Sequence, residues 1–161
     1  MLIKLPAVWI VALNCGGWFV IQWGMAWVFT RMPEDWFRPG AARKWEQGGA
    51  LYERVFGIRK WKDMIPDAAR WLSGGFAKAS LNARERDYFA RFIRETWRGE
   101  LCHWAAMCWT PLFFVWNPPW GDVVIVVYAV AANMPCILVQ RYNRIRLARV
   151  LSAREGHQST G

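Results

Sequence analysis

From Leu5 to Phe29 the chain runs for 25 residues without a charged side chain, and its only clearly polar members are Asn14 and Gln22. As a helix this run is about 37 Å long, enough to cross a hydrocarbon core of roughly 30 Å with some tilt. A signal peptide would have a shorter apolar core, a more basic start and a small-residue cleavage site. Here one Lys4 precedes the run and Trp27-Val28-Phe29-Thr30-Arg31 closes it, which reads as an uncleaved anchor.

A second apolar stretch, Leu101 to Val139, is broken by Asn117-Pro118-Pro119-Trp120-Gly121-Asp122. That turn stops one helix and starts another. The halves, 101–116 and 123–139, read as a helical hairpin whose ends are extended by the flanking polar helices; a shallow re-entrant hairpin is the alternative. Charge and apolar character are segregated in a chain of only 161 residues. This excludes a disordered chain, a disulfide-rich secreted mini-domain and a soluble enzyme with its own nucleotide-binding sheet. The expected fold is an all-α integral membrane protein, a single membrane domain over 1–161 with three transmembrane helices. One is the anchor (5–29) and two form the hairpin. Amphipathic interfacial helices occupy 31–100, and a basic tail occupies 140–161.

Residues 31–100 carry fifteen Lys/Arg, the tail after Gln140 carries five, the amino terminus has Lys4 alone and the hairpin turn has none. The positive-inside rule then places the 31–100 segment and the carboxyl tail in the cytoplasm and the amino terminus outside. Within 31–100, Trp45, Gly49, Tyr52 and Phe56 fall on one helical face, with Arg43, Lys44, Glu46, Glu53 and Arg54 around the rest. Cations interleaved with Trp suit a helix in the headgroup layer. The same interleaving occurs in nucleic-acid binders, but a cytoplasmic membrane surface accounts for it and no nucleic-acid partner is expected. A further short helix is read as ending at Trp71–Gly75, and Asn82 with Glu85 as a capping box opening the next helix.

His103 lies inside the second apolar stretch, three residues after Glu100, on the same helical face. An ionisable side chain at membrane depth is costly and points to function. Glu100 is expected to hold the imidazole in one tautomer while its other nitrogen takes a proton from a hydroxyl nucleophile. The competing reading is an interfacial His bonded to a backbone carbonyl and doing no chemistry. Asn133, Gln140 and Arg144 share one stripe of the last helix, with Arg141 nearby. In an antiparallel hairpin Gln140 and Arg141 lie level with Glu100 and His103, Asn133 lies a turn deeper, and Asn14 and Gln22 could join from the first span. Such a polar cluster at a bilayer boundary suits an amphiphile whose tail stays in lipid. No metal site is expected, since Glu-x-x-His occurs once and the four Cys form no C-x-x-C.

Several blocks carry a family resemblance. They are Thr30-Arg31-Met32-Pro33, Arg59-Lys60-Trp61-Lys62, Glu100-Leu101 with His103-Trp104, Ala132-Asn133-Met134-Pro135 and Val139-Gln140-Arg141-Tyr142-Asn143-Arg144. Their order and spacing resemble the glycosyl-4,4'-diaponeurosporenoate acyltransferase family, small bacterial membrane proteins of carotenoid glycolipid biosynthesis. The resemblance runs from the first span to about residue 150. It implies esterification of a sugar hydroxyl on a glycosylated carotenoid, or a related lipid-linked acceptor, with a fatty acyl group at the plasma membrane. An acyl donor such as acyl-CoA would be a co-substrate, with no tightly bound cofactor. On that reading Asn133 and Gln140 would bond the acyl carbonyl or its oxyanion, Arg141, Arg144, Arg59 and Lys60 would hold an anionic donor or headgroup, and the matching blocks add Asn143 and Trp61 to the substrate-binding candidates. Membrane lipids are expected partners, and so small a chain leaves room for homo-oligomerisation. Two other readings stay open: an isoprenoid-lipid methyltransferase-like enzyme and a non-enzymatic lipid-binding accessory subunit.

Overall fold

The computed structural model describes residues 1–40, 43–64 and 86–158, and among them every regular element is helical. α1 (Ala7–Arg31) starts after Pro6, whose fixed φ suits a helix entrance, and stops at Met32, which is extended because Pro33 follows it. Short 3₁₀ turns and α2 (Ala50–Phe56) follow. α3 spans Arg86–Cys108 and α4 spans Pro119–Gln158. The short helix read as ending at Trp71–Gly75 and the Asn82/Glu85 capping box lie outside the described residues.

Two sequence expectations change. The apolar half 101–116 is not one helix, because α3 ends at Cys108 and the chain tightens into a 3₁₀ turn over Thr110–Val115. Pro111 is the physical reason: it lacks an N–H and disfavours α geometry at the residue before it. Residues 123–139 and the basic stretch after them lie on one helix. α4 runs unbroken for 40 residues with Pro135 inside it. Finally, Trp45 and Tyr52 do not share a helix. The chain turns at Gln47, Gly48 and Gly49 with φ of 49°, 62° and 99°, and Gly49 lies 3.5 Å from the Tyr142 ring at the position a Cβ would take.

Two helices are long and apolar enough to cross a membrane, α1 and the Pro119–Arg149 part of α4. Trp18 is the one buried residue of α1, while Val8, Phe19 and Val20 are exposed. On α4, Val123 and Val127 are exposed likewise. Apolar helices with so little cover are compatible with a membrane protein.

The three long helices are tied together at successive levels. At one end, Leu2 and Ile3 N–H groups donate to the Val115 carbonyl. There Asn14 exchanges hydrogen bonds with the buried Asn117, each 2.9 Å, and accepts another from Trp116 Nε1. One turn further, Trp18 stacks on Phe113 at 5.2 Å. At the far end of α1, Arg98 of α3 donates to the Met32 carbonyl at 3.3 Å and lies over the Phe37 ring. The amino terminus and the 110–122 turn therefore share one end, and the 43–64 segment packs at the other, on the carboxyl half of α4. There Tyr52, Ile58, Val139, Tyr142 and Ile145 form a buried cluster.

Gly17 sets the approach of α1 to the turn. A Cβ there would sit 3.0 Å from Phe113, a fully buried ring boxed by Trp18 and Trp116. Gly17→Ala is expected to lower the thermal midpoint in detergent, because overpacking of about 1–3 kcal/mol outweighs the roughly 1 kcal/mol helical gain. Gly16→Ala and Gly24→Ala, which meet nothing within 4 Å, should raise it. Equal shifts for all three would show that the α1–turn contact does not limit stability.

Candidate functional site

Two polar clusters lie where α3 faces α4. The deeper one is centred on Asn133, which is fully buried. Its Nδ2 donates to the Ala129 carbonyl at 2.9 Å, which fixes the amide orientation. Its Oδ1 accepts Gln22 Nε2 from α1 at 3.0 Å and lies 2.9 Å from His103 Nδ1 of α3. An amide oxygen can only accept, so His103 Nδ1 carries the hydrogen. In the neutral ring Nε2 is then the lone-pair nitrogen, which is the base form of histidine. Three helices thus fix one tautomer through a single oxygen.

Glu100, given this orienting part by its i,i+3 spacing from His103, makes no hydrogen bond to the imidazole. It is 2% exposed, and a carboxylate so buried needs cations, which α4 supplies. Arg144 Nη1 lies 2.6 Å from Glu100 Oε2, an ionic contact outside hydrogen-bond geometry. Arg141 Nη1 lies 3.6 Å from Oε1. Arg144 also stands over the Trp97 ring at 4.7 Å. Gln140 packs its amide against Gly99, one turn of α3 before His103.

Glu46 completes this second cluster, and sequence reasoning missed it by placing it on a solvated face. It is 2% exposed. It accepts hydrogen bonds from Arg141 Nε (2.8 Å), the Tyr52 hydroxyl (2.8 Å) and the Arg43 backbone N–H (2.6 Å). The available signal was the run Arg141, Arg144, Arg146 and Arg149, which has no acid on its own stretch of helix and must be matched from elsewhere. Burial alone raises the Glu46 carboxyl, but the Arg43 N–H, the Tyr52 hydroxyl and Arg141 together hold it below its ordinary value. Burial, then Glu46, pushes the Tyr52 hydroxyl well above its ordinary value, so it stays a donor.

A carboxyl lowered in the folded state adds stability that is fully present above its ordinary value of 4.5 and is lost as pH falls through the lowered one. The thermal midpoint of the wild type should therefore drop on acidification below that value. Glu46→Gln should be less stable at neutral pH and show a flatter acid limb. Parallel acid limbs would assign the acid loss to other groups.

The remaining sequence candidates lie apart from His103. Arg59 Nε is 3.0 Å from Glu53 and donates to the Tyr142 hydroxyl at 3.3 Å, and Tyr142 donates to Glu53. Trp61 donates to the Phe56 carbonyl at 2.8 Å and packs on the buried cluster, while Lys60 is exposed and Asn143 is half-buried. Among the described residues no three His, Cys, Asp or Glu side chains come together as a metal site.

A sequence model of the family glycosyl-4,4'-diaponeurosporenoate acyltransferase matches residues 33–153, which include every residue of both clusters except Gln22. The protein of that name from Staphylococcus aureus strain USA300 is 32% identical over 138 residues, covering 83% of each chain. Its counterpart from strain NCTC 8325 / PS 47 matches at the same identity and coverage. No solved structure matches. With agreement over most of its length and through both clusters, the chain belongs to the glycosyl-4,4'-diaponeurosporenoate acyltransferase family and is an acyltransferase.

Proposed function

We propose that this chain esterifies a sugar hydroxyl of a glycosylated carotenoid, or a related lipid-linked acceptor, with a fatty acyl group from a thioester donor such as acyl-CoA. The observation that carries the reading is the Asn133 oxygen, which accepts from Gln22 and from His103 Nδ1 and so leaves Nε2 as a base. His103 Nε2 takes the proton of the sugar hydroxyl as that oxygen attacks the acyl carbonyl. The carbon–sulfur bond then breaks, and the imidazolium returns the proton to the departing thiolate, giving ester and free thiol. Asn133, whose polar atoms serve the protein, acts as a positioning residue. Gln140, one turn from His103, is the side-chain donor for the carbonyl oxygen. Arg141 and Arg144, each paired with a buried carboxylate, offer their remaining N–H groups to an anionic donor.

The reading places the protein in the bacterial plasma membrane as a multi-pass chain. The amino terminus and the 110–122 turn lie outside, and the 43–64 segment and the end of α4 lie in the cytoplasm. α1, the apolar end of α3 with its 3₁₀ turn, and α4 make three passages. The exposed Trp45, Phe56, Arg54 and Lys60 suit a segment resting in the headgroup layer. The test is acyl transfer by purified protein in detergent, with labelled palmitoyl-CoA and a glycosylated carotenoid extract, read as a labelled ester by mass spectrometry. Formation of that ester is expected. Its absence with every thioester donor and glycolipid acceptor offered would overturn the reading.

A further inference from the structure

A groove of about 310 Å³ runs beside the two polar clusters, between α2, α3 and α4. That volume is at the low end for small-molecule sites. Val55 and Phe56 of α2 and the preceding Trp45 form one wall; Trp104 of α3 closes the other side. Met134 and Leu138 form part of its α4 wall, and Arg141 is the one charged lining residue among the described residues. Trp45, Val55, Phe56 and Trp104 are 49%, 59%, 45% and 38% exposed, so the groove opens sideways through an apolar rim. From Met134 to Arg141 it follows α4 for about 10 Å.

The two ends differ in chemistry. Trp104 and Met134 immediately follow His103 and Asn133 in sequence, so the apolar end lies at the level of the base along the two helices. At the other end Arg141 Nε is bonded to Glu46, its Nη1 lies 3.6 Å from Glu100, and the guanidinium stands over the Trp45 ring. Arg43 and Lys44, both exposed, immediately precede Trp45 in sequence. The occupant this arrangement fits has an anionic head and a single flexible hydrocarbon chain. At about 10 Å along α4 the groove is too short to enclose a rigid polyene.

We propose that the groove is the binding site of the acyl donor, with its anionic head at Arg141 and its chain passing over Trp104 and Met134 toward the lipid. This rests on the acyltransferase reading above, but its test does not need turnover. The protein in nanodiscs is irradiated with a palmitoyl-CoA analogue bearing a diazirine in the chain, and labelled peptides are mapped. Label is expected on the Trp45–Phe56 peptide, at Trp104 and along Met134–Leu138. Excess palmitoyl-CoA should displace it, and excess methyl palmitate, which lacks the anionic head, should not. Val55→Trp, which fills the groove from an exposed position, should cut labelling at least about tenfold with the thermal midpoint unchanged. His103→Ala should label as the wild type does. Label confined to the outward faces of α1 and residues 120–130, or label that palmitoyl-CoA fails to displace, would overturn the proposal. A protein that labels in the groove but makes no ester would instead count against the His103 mechanism.

Discussion

We expect His103→Ala to lower the turnover of acyl transfer by about 10²–10⁴-fold, the range a positioned general base supplies, while the protein stays folded. His103 is half-buried, and its one described hydrogen bond is to Asn133, so its loss removes little packing. The informative comparison is with the residues behind it. Asn133→Leu keeps the volume but removes the oxygen that fixes the tautomer, so Nε2 is no longer held as the base. Its loss should be smaller than that of His103→Ala and should fall on kcat with KM nearly unchanged, since Asn133 is fully buried. Gln22→Leu removes only the second donor to that oxygen and should cost least. A wild-type kcat for Asn133→Leu would refute the positioning role. Equal losses of kcat and thermal stability across the series would mark the cluster as structural.

The parts of this arrangement visible in the sequence are those set by local chemistry. The uncharged Leu5–Phe29 run gives α1 within two residues, and Asn117-Pro118-Pro119 marks the turn before α4. His103 and Asn133 were singled out because polar groups inside apolar runs have few inexpensive places to go. What was hidden depends on which partner wins. Glu100 has His103 one turn away on its own helix, yet the two guanidiniums across the helix interface compete more strongly for a buried carboxylate. Glu46 follows Arg43 at a capping spacing and looked like surface. Only the fold of 43–56 over α4 brings it to Arg141, 95 residues away. The break at Cys108 was legible in Pro111, but the hydropathy of 101–116 masked it.

Glu100 supplies the second large effect, and it separates a stabilising carboxylate from a catalytic one. Glu100→Ala leaves Arg144, itself 9% exposed, without its counter-ion, and leaves Arg141 with Glu46 alone. Removing one partner of a buried ion pair costs about 3–5 kcal/mol because the other charge stays buried and uncompensated. The thermal midpoint of Glu100→Ala in detergent should fall accordingly, with Arg144→Ala close behind. Replacing both partners by apolar groups of similar volume is often neutral, so Glu100→Leu combined with Arg144→Met should recover most of the loss, and a double-mutant cycle would show strong coupling. The recovered double variant then decides the role. If Glu100 acts only by holding Arg144 and Arg141 in place, its kcat should stay within a few-fold of the wild type, and any lost donor affinity from Arg144 should appear in KM. A fully folded double variant whose kcat has fallen about 10²-fold or more would make Glu100 a participant in proton transfer, and the Asn133 oxygen would then be an insufficient account of how His103 is set.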